Sequence, residues 1–257
     1  MVLNVLAVGD IVGDAGIEIL SKRLRGVKRY RDIGFTVANG ENAAGVGITP
    51  GQADRLLDAG VDVITLGNHT WSRREICDYL DDNPRILRPA NFAPQTPGRG
   101  WGTYDTPLGD VCVINLIGRC DMKFGNENPF HEADRIIGRL GPRIVLVDFH
   151  AEATSEKLAM AYFLDGRVSA MWGTHTHVQT SDGLVFQNGM GYITDLGMTG
   201  AINSVIGIKP ESSVSAFLGN PPDRFEAASG ESKIECAVFE IDAETGRCLS
   251  VEAMRIT

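Results

Sequence analysis

The chain has 257 residues, with 24 basic and 33 acidic side chains for a formal charge of −9, and 43% of it is hydrophobic. A chain of this length buries roughly three quarters of its unfolded surface, and its composition excludes disorder. The acidic balance argues against broad nucleic-acid binding, no run approaches the ~18 apolar residues of a membrane span, and residues 1–6 lack a basic leader and cleavage site, so a cytoplasmic protein with no membrane partner is expected.

Taken in chain order, β-branched apolar runs predict strands over 3–8, 35–38, 61–66, 111–116, 144–149 and 168–172. Amphipathic stretches between them predict helices over 16–30, 51–59 behind Pro50, 73–80 and 154–164. Strand and helix alternate, which favours a largely parallel sheet. Further on, strands are predicted over 183–187, 191–194, 234–241 and 248–255, the last two as an antiparallel hairpin turned by residues 242–246. Segments 83–102 and 203–230 carry loop signals and suit a lid or a partner surface. No repeat or linker interrupts the chain, so a single domain over 1–257 is expected. The five cysteines (Cys77, Cys112, Cys120, Cys236, Cys248) are scattered without C-x-x-C spacing and read as reduced, mostly buried thiols.

Polar residues able to hold a metal follow five of the apolar runs: Asp10, then Glu41 and Asn42, then Asn68 and His69, then His150, then His175 and His177. In open α/β sheets the loops at the carboxyl ends of strands meet in one crevice, so these residues are expected to converge. Glycine immediately precedes Asp10, Glu41 and Asn68, permitting a close backbone approach. His175 and His177 project the same way if the backbone stays extended. The set offers more oxygen and nitrogen donors than one ion requires, and Glu41 can bridge two ions. Without cysteine, its mixed oxygen and nitrogen donors suit iron, manganese or zinc better than calcium or an iron–sulfur cluster. Two ions roughly 3.5–4 Å apart lower the pKa of a shared water and clamp phosphoryl oxygens.

Other polar residues are read more plainly. His131 suits a helix start or an exposed loop. Thr174 and Thr176 are explained as well by strand propensity as by a role in orienting the histidines. Arg73 and Arg74 fit a solvated face better than an anion contact, and residues 195–198 form a pocket wall without an assigned role.

Gly9-Asp10-Ile11, Asn39-Gly40-Glu41-Asn42, Gly67-Asn68-His69, the isolated His150 and Gly173-Thr174-His175-Thr176-His177 together resemble the calcineurin-like metallophosphoesterases, and most of all their bacterial YmdB-like branch. The resemblance covers about residues 10–177. Val12 stands where the wider superfamily has a histidine, and Glu41 replaces its bridging aspartate. The narrower branch implies that Asn42 substitutes for the missing imidazole. It implies an α/β fold, a four-layer α-β-β-α sandwich of two mixed sheets flanked by helices. It further implies one ion held by Asp10, Glu41, Asn42 and His177 and another by Glu41, Asn68, His150 and His175, with iron the first choice and manganese or zinc the alternatives. His69 is implied as the catalytic residue that meets the phosphate and assists the leaving oxygen.

The activity implied is hydrolysis of small nucleotide phosphodiesters, with 2′,3′-cyclic nucleoside monophosphates as the substrate class, by attack of a hydroxide shared between the metals. The same ligand set also suits a phosphomonoesterase or a broader phosphodiesterase. A regulatory nucleotide-binding protein with incidental turnover is a third reading. Self-association is compatible with the long polar loops, which do not fix an oligomeric state.

Overall fold

In the computed structural model, residues 1–122, 127–221 and 226–257 are described. The first half contains β1 (Val2–Val8), β2 (Asp10–Ile11), α1 (Gly13–Tyr30), β3 (Ile33–Asn39), α2 (Pro50–Ala59), β4 (Val63–Thr65), α3 (Ile76–Asp82), β5 (Ile86–Leu87), β6 (Trp101–Tyr104) and β7 (Val111–Ile117). It continues with α4 (Pro129–Ile137), β8 (Ile144–His150), α5 (Thr154–Leu164), β9 (Ala170–Thr174), β10 (Leu184–Val185), β11 (Gly191–Ile193), β12 (Met198–Ala201), α6 (Pro210–Phe217), β13 (Ser232–Asp242) and β14 (Cys248–Ile256).

The strands form two mixed sheets. One has the order β2-β12-β13-β1-β3-β4-β5 with β14 also on β13, and the other has the order β10-β11-β9-β8-β7-β6. Strands β1, β3, β4 and β5 run parallel, as do β7, β8, β9 and β11, whereas β13 is antiparallel to β1, β12 and β14. The expected C-terminal hairpin is present. Its turn is closed by the Gly246 N–H donating to the Asp242 carbonyl at 2.8 Å, with Gly246 at φ 72° where a side chain is strained.

Side-chain alternation produces the layers. On β1, Leu6 and Val8 face α1 residues Ile17, Leu20 and Leu24 in one core, while Leu3, Val5 and Ala7 enter a second core between the sheets. On β8, Val145, Val147 and Phe149 meet α5 residues Met160, Ala161 and Leu164, while Ile144 and Leu146 turn inward to the intersheet core. This is the α-β-β-α sandwich expected from the resemblance, and strands buried on both faces, such as β7 and β8, read as nearly continuous apolar runs.

Several boundaries differ from the sequence reading. The helix expected over 73–80 begins at Ile76, because Arg73 donates from Nε to the Val46 carbonyl at 3.1 Å and from Nη2 to the Ala44 carbonyl at 3.0 Å in an irregular turn. Strand 183–187 shortens to Leu184–Val185 and strand 168–172 moves to Ala170–Thr174. Of the segment 203–230, residues 222–225 lie outside the described residues, and 210–217 is helix α6. His131 is exposed in the first turn of α4, where Asn128 accepts from the Phe130 N–H at 2.9 Å as the N-cap. No helix among the described residues is long and apolar enough to cross a membrane.

Candidate metal centre

The inward face of the sandwich changes character at the carboxyl ends of its strands. Continuing the period of two, Asn39 follows Val37 on β3, Thr65 follows Val63 on β4, Asp148 follows Leu146 on β8, and Thr174 follows Trp172 on β9. All four polar residues are buried. Beyond them, along the same edge, lie the residues expected to form the site.

Asp10, Glu41 and His150 are each at most 1% exposed, Asn42 is buried, and Asn68, His69, His175 and His177 line the edge half-buried. His150 Nε2 is the focus of one group. It lies 2.9 Å from Asn68 Oδ1, 3.1 Å from His175 Nδ1 and 3.2 Å from Glu41 Oε1. A second group surrounds His177 Nε2, which lies 3.7 Å from Asp10 Oδ1 and 3.2 Å from the amide nitrogen of Asn42. That amide also donates to Glu41 Oε1 at 3.1 Å, so Glu41 stands between the groups. The His69 backbone N–H donates to the other Glu41 oxygen at 3.0 Å, which attaches the His69 loop to the same carboxylate.

Each of His150, His175 and His177 has its outward nitrogen engaged. His177 Nδ1 donates to the Ile206 carbonyl at 2.8 Å, His175 Nε2 meets Glu152 Oε2 at 3.1 Å, and His150 Nδ1 meets Thr174 Oγ1 at 2.9 Å. Such partners fix ring orientation and turn the other nitrogen of each ring inward, where its lone pair can serve a metal once any proton on it has left. The inward atoms are therefore His150 Nε2, His175 Nδ1 and His177 Nε2.

The charges agree with a cation-seeking site. Burial raises the Asp10 carboxyl to about 6, against the lowering pull of His177 and His150. For Glu41 burial also acts upward but loses to His150 and His69, which hold the carboxyl at about 2. Burial disfavours the charged form of His150, yet Glu41 and Asp10 outweigh it and lift the imidazole to about 9. His175 is lowered to about 3 by burial and by neighbouring His150.

Three features of the chain fit bound metal. Asp10 Oδ1 is buried without a hydrogen-bond partner. Glu41, His150 and His175 offer ligand atoms within 4.8 Å of one another. A single proton on His150 Nε2 serves only part of the lone pairs around it, whereas a cation serves them all; donors around a tetrahedral ion at ~2.1 Å stand roughly 3.4 Å apart, close to the 2.9–3.2 Å about Nε2. Ligation through Asn42 oxygen requires a half-turn of its amide, which exchanges two groups of similar size.

The backbone does not stay extended over residues 175–177. Strand β9 ends at Thr174, and His175 and His177 have φ values of 100° and 63°. Both are in the left-handed region, costly for residues other than glycine. They are held there by the His175 N–H donating to Asp10 Oδ2 at 3.1 Å and the Thr176 N–H donating to Asp195 Oδ2 at 3.2 Å. Asp195, a bare pocket-wall residue in the sequence reading, is buried and receives Lys157 Nζ at 2.7 Å. Lys157, Glu152 and Asp148 are supporting residues that sequence reasoning misses, while Thr174 and Asp195 are noticed there but left out of the site. The available signal is a lone carboxylate, Asp148, inside a strand that is otherwise apolar up to its terminal His150.

A cleft of about 780 Å³ opens beside the Asn42 loop, with Gly13, Ala43, Gln52, Ser72 and Arg73 among its walls. Arg73 serves as a brace between two loops through its bonds to residues 44 and 46.

Comparison with known proteins gives concordant matches. Residues 6–254 match the family described as YmdB-like protein. The 2′,3′-cyclic-nucleotide 2′-phosphodiesterase of Bacillus subtilis (strain 168) is 42% identical over 258 residues, covering 99% of this chain and 97% of that protein. A crystal structure described as a novel phosphatase from Mycoplasma pneumoniae is 32% identical with a TM-score of 0.94, covering 100% of this chain and 94% of the other. A hypothetical protein from Thermus thermophilus is 35% identical with a TM-score of 0.92, covering 99% of each chain.

Proposed function

Starting from the fact that this chain belongs to the YmdB-like protein family and is a hydrolase of the phosphodiesterase and phosphatase kind, we propose that it is a metal-dependent phosphodiesterase acting on 2′,3′-cyclic nucleoside monophosphates as a single domain. The observation that carries the reading is the convergence of Glu41 Oε1, Asn68 Oδ1 and His175 Nδ1 on His150 Nε2, all within 3.2 Å. The substrate class comes from the name of the Bacillus subtilis relative, and iron, manganese or zinc suits the donor set.

In this reading Asp10, Glu41, Asn42 and His177 hold one ion, and Glu41, Asn68, His150 and His175 hold the other. Such a pair supplies activated water and neutralises phosphoryl oxygens. The remaining work falls to the chain. His69, tied to Glu41 through its backbone, gives a proton to the ribose 2′ oxygen as the phosphorus–oxygen bond to it breaks. Water supplies the new oxygen on phosphorus, and the product is a nucleoside 3′-monophosphate. The cleft beside the Asn42 loop has room for the nucleoside.

The test compares hydrolysis of 2′,3′-cyclic AMP, bis(p-nitrophenyl) phosphate and p-nitrophenyl phosphate by the purified chain, before and after treatment with chelator. Diesters are expected to be cleaved in preference to the monoester, activity is expected to vanish on chelation and return with added metal, and chromatography is expected to find adenosine 3′-monophosphate. Preference for the monoester would favour the phosphomonoesterase reading, and full activity after complete metal removal would overturn the proposal.

A further inference from the structure

Resting on the dinuclear reading above, we infer that Asp148 and Thr174 are positioning residues that determine which nitrogen of His150 is offered to the metal centre. Both are fully buried and neither is a ligand in that reading. The argument is one of hydrogen-bond direction.

Asp148 lies two residues before His150 on β8, and Thr174 is the register partner of His150 on β9. The Asp148 carboxylate accepts from Thr174 Oγ1 at 2.8 Å, from the Thr65 hydroxyl and from Asn39 Nδ2 at 3.5 Å. A carboxylate surrounded by donors accepts only, and a threonine hydroxyl has one hydrogen to give. Once that hydrogen goes to Asp148, Thr174 Oγ1 faces His150 Nδ1 at 2.9 Å as an acceptor, so Nδ1 carries the proton. Neutral imidazole then has a bare Nε2, the atom that looks toward Glu41, Asn68 and His175. If the direction were reversed, a proton would sit on Nε2 and block the ligand position. Asn39 and Thr65 come from the first sheet, Asp148 and Thr174 from the second, so donors from across the sandwich help hold Asp148 as the acceptor.

A buried polar plug that merely satisfies its own groups would have the same contacts, and the experiment separates the two roles. Zinc affinity of the full chain is measured by competition with a chromophoric chelator for wild type, Thr174→Val and Thr174→Ser, with urea midpoints confirming that each folds. Valine keeps the shape and removes the acceptor; serine keeps the hydroxyl. We expect Thr174→Val to bind zinc about 10- to 100-fold more weakly and Thr174→Ser to stay within about threefold of wild type. In the zinc-loaded chain the imidazole ¹H–¹⁵N spectrum should show a slowly exchanging His150 Nδ1–H that survives in Thr174→Ser and is lost in Thr174→Val. If Thr174→Val does not fold, Thr174→Ala takes its place. Wild-type affinity in the valine or alanine variant, or equal losses in serine and valine variants, would overturn the inference alone. Failure of wild type to bind zinc, iron or manganese would overturn the dinuclear reading and this inference with it.

Discussion

Gly67 stands so close to His150 that a Cβ built on it would lie 2.3 Å from His150 Nε2, and 2.3 Å from Glu41 Oε2. The glycine is needed for space, since its φ is not among the positive values and its backbone would accept alanine. Gly67→Ala is therefore expected to fold with an unchanged circular dichroism spectrum and to lose bound metal, measured as equivalents per chain by elemental analysis. Retention of the wild-type metal content would show that the crowded atoms are not ligands.

The roles assigned to Glu41 and His69 separate in the same way. Glu41→Ala removes the carboxylate shared by both groups of donors and is expected to lose metal. His69→Ala leaves those donors in place and is expected to keep its metal while turnover drops about 10²- to 10⁴-fold, the range for removing a general acid. Two equivalents of metal in Glu41→Ala, or near-normal kcat in His69→Ala, would contradict the assignments.

Protonation gives a third expectation. In the metal-free chain the His150 imidazole is raised to about 9 from 6.5, with Glu41 and Asp10 overcoming burial. The folded state then binds this proton more tightly than the unfolded one, so its contribution to stability is complete below pH 6.5 and is lost as pH rises through about 9. Glu41, held at about 2 where burial loses to His150 and His69, contributes above pH 4.5 and loses that contribution only as pH falls through about 2. Calorimetry of chelator-treated chain should therefore record a falling Tm from pH 6.5 to 9, and saturating metal, which takes the place of the proton, should flatten that fall. Equal slopes with and without metal would count against His150 as a ligand.

Beneath the histidine loop, Lys157 and Asp195 form an ion pair with both side chains 1% exposed. Removing one partner of such a pair leaves a buried charge uncompensated, at a cost of about 3–5 kcal/mol. Lys157→Met is expected to lose that much in urea unfolding, and to weaken metal binding as well because Asp195 also receives the Thr176 N–H. A loss below about 1 kcal/mol, with metal affinity intact, would show that the pair does not brace the loop.

Much of this architecture is legible in the amino-acid sequence alone. Long strands such as Ile144–His150 announce themselves by nearly uninterrupted apolar residues, and α5 matches its expected bounds because Glu156 in its first turn and the helix-forming residues behind it are local signals. The ligand candidates stand out because polar residues interrupt the chain directly behind buried strands. Strands Asp10–Ile11 and Met198–Ala201 are not legible, since runs of two and four residues have no period and exist only because they pair with each other and, for the second, with β13. Helix α6 follows Lys209, which provides no side-chain cap to mark its start. The left-handed backbone at His175 and His177 is hidden for a related reason: Asp10, Asp195 and Ile206, all distant in sequence, hold it. Taken by itself Thr174 is a strand-forming residue, while its importance lies in Asp148 and His150 on a neighbouring strand.

Strand β13 pairs along the whole of β1, with Val2 opposite Asp242 and Val8 opposite Cys236. During synthesis β1 therefore emerges long before β13, and its second edge stays uncovered until that partner is made. Asp10 and the loop behind it cannot settle until that late partner arrives. On the dinuclear reading, a nascent chain stalled short of β13 should fail to take up metal at Asp10, so that loading follows the arrival of that strand.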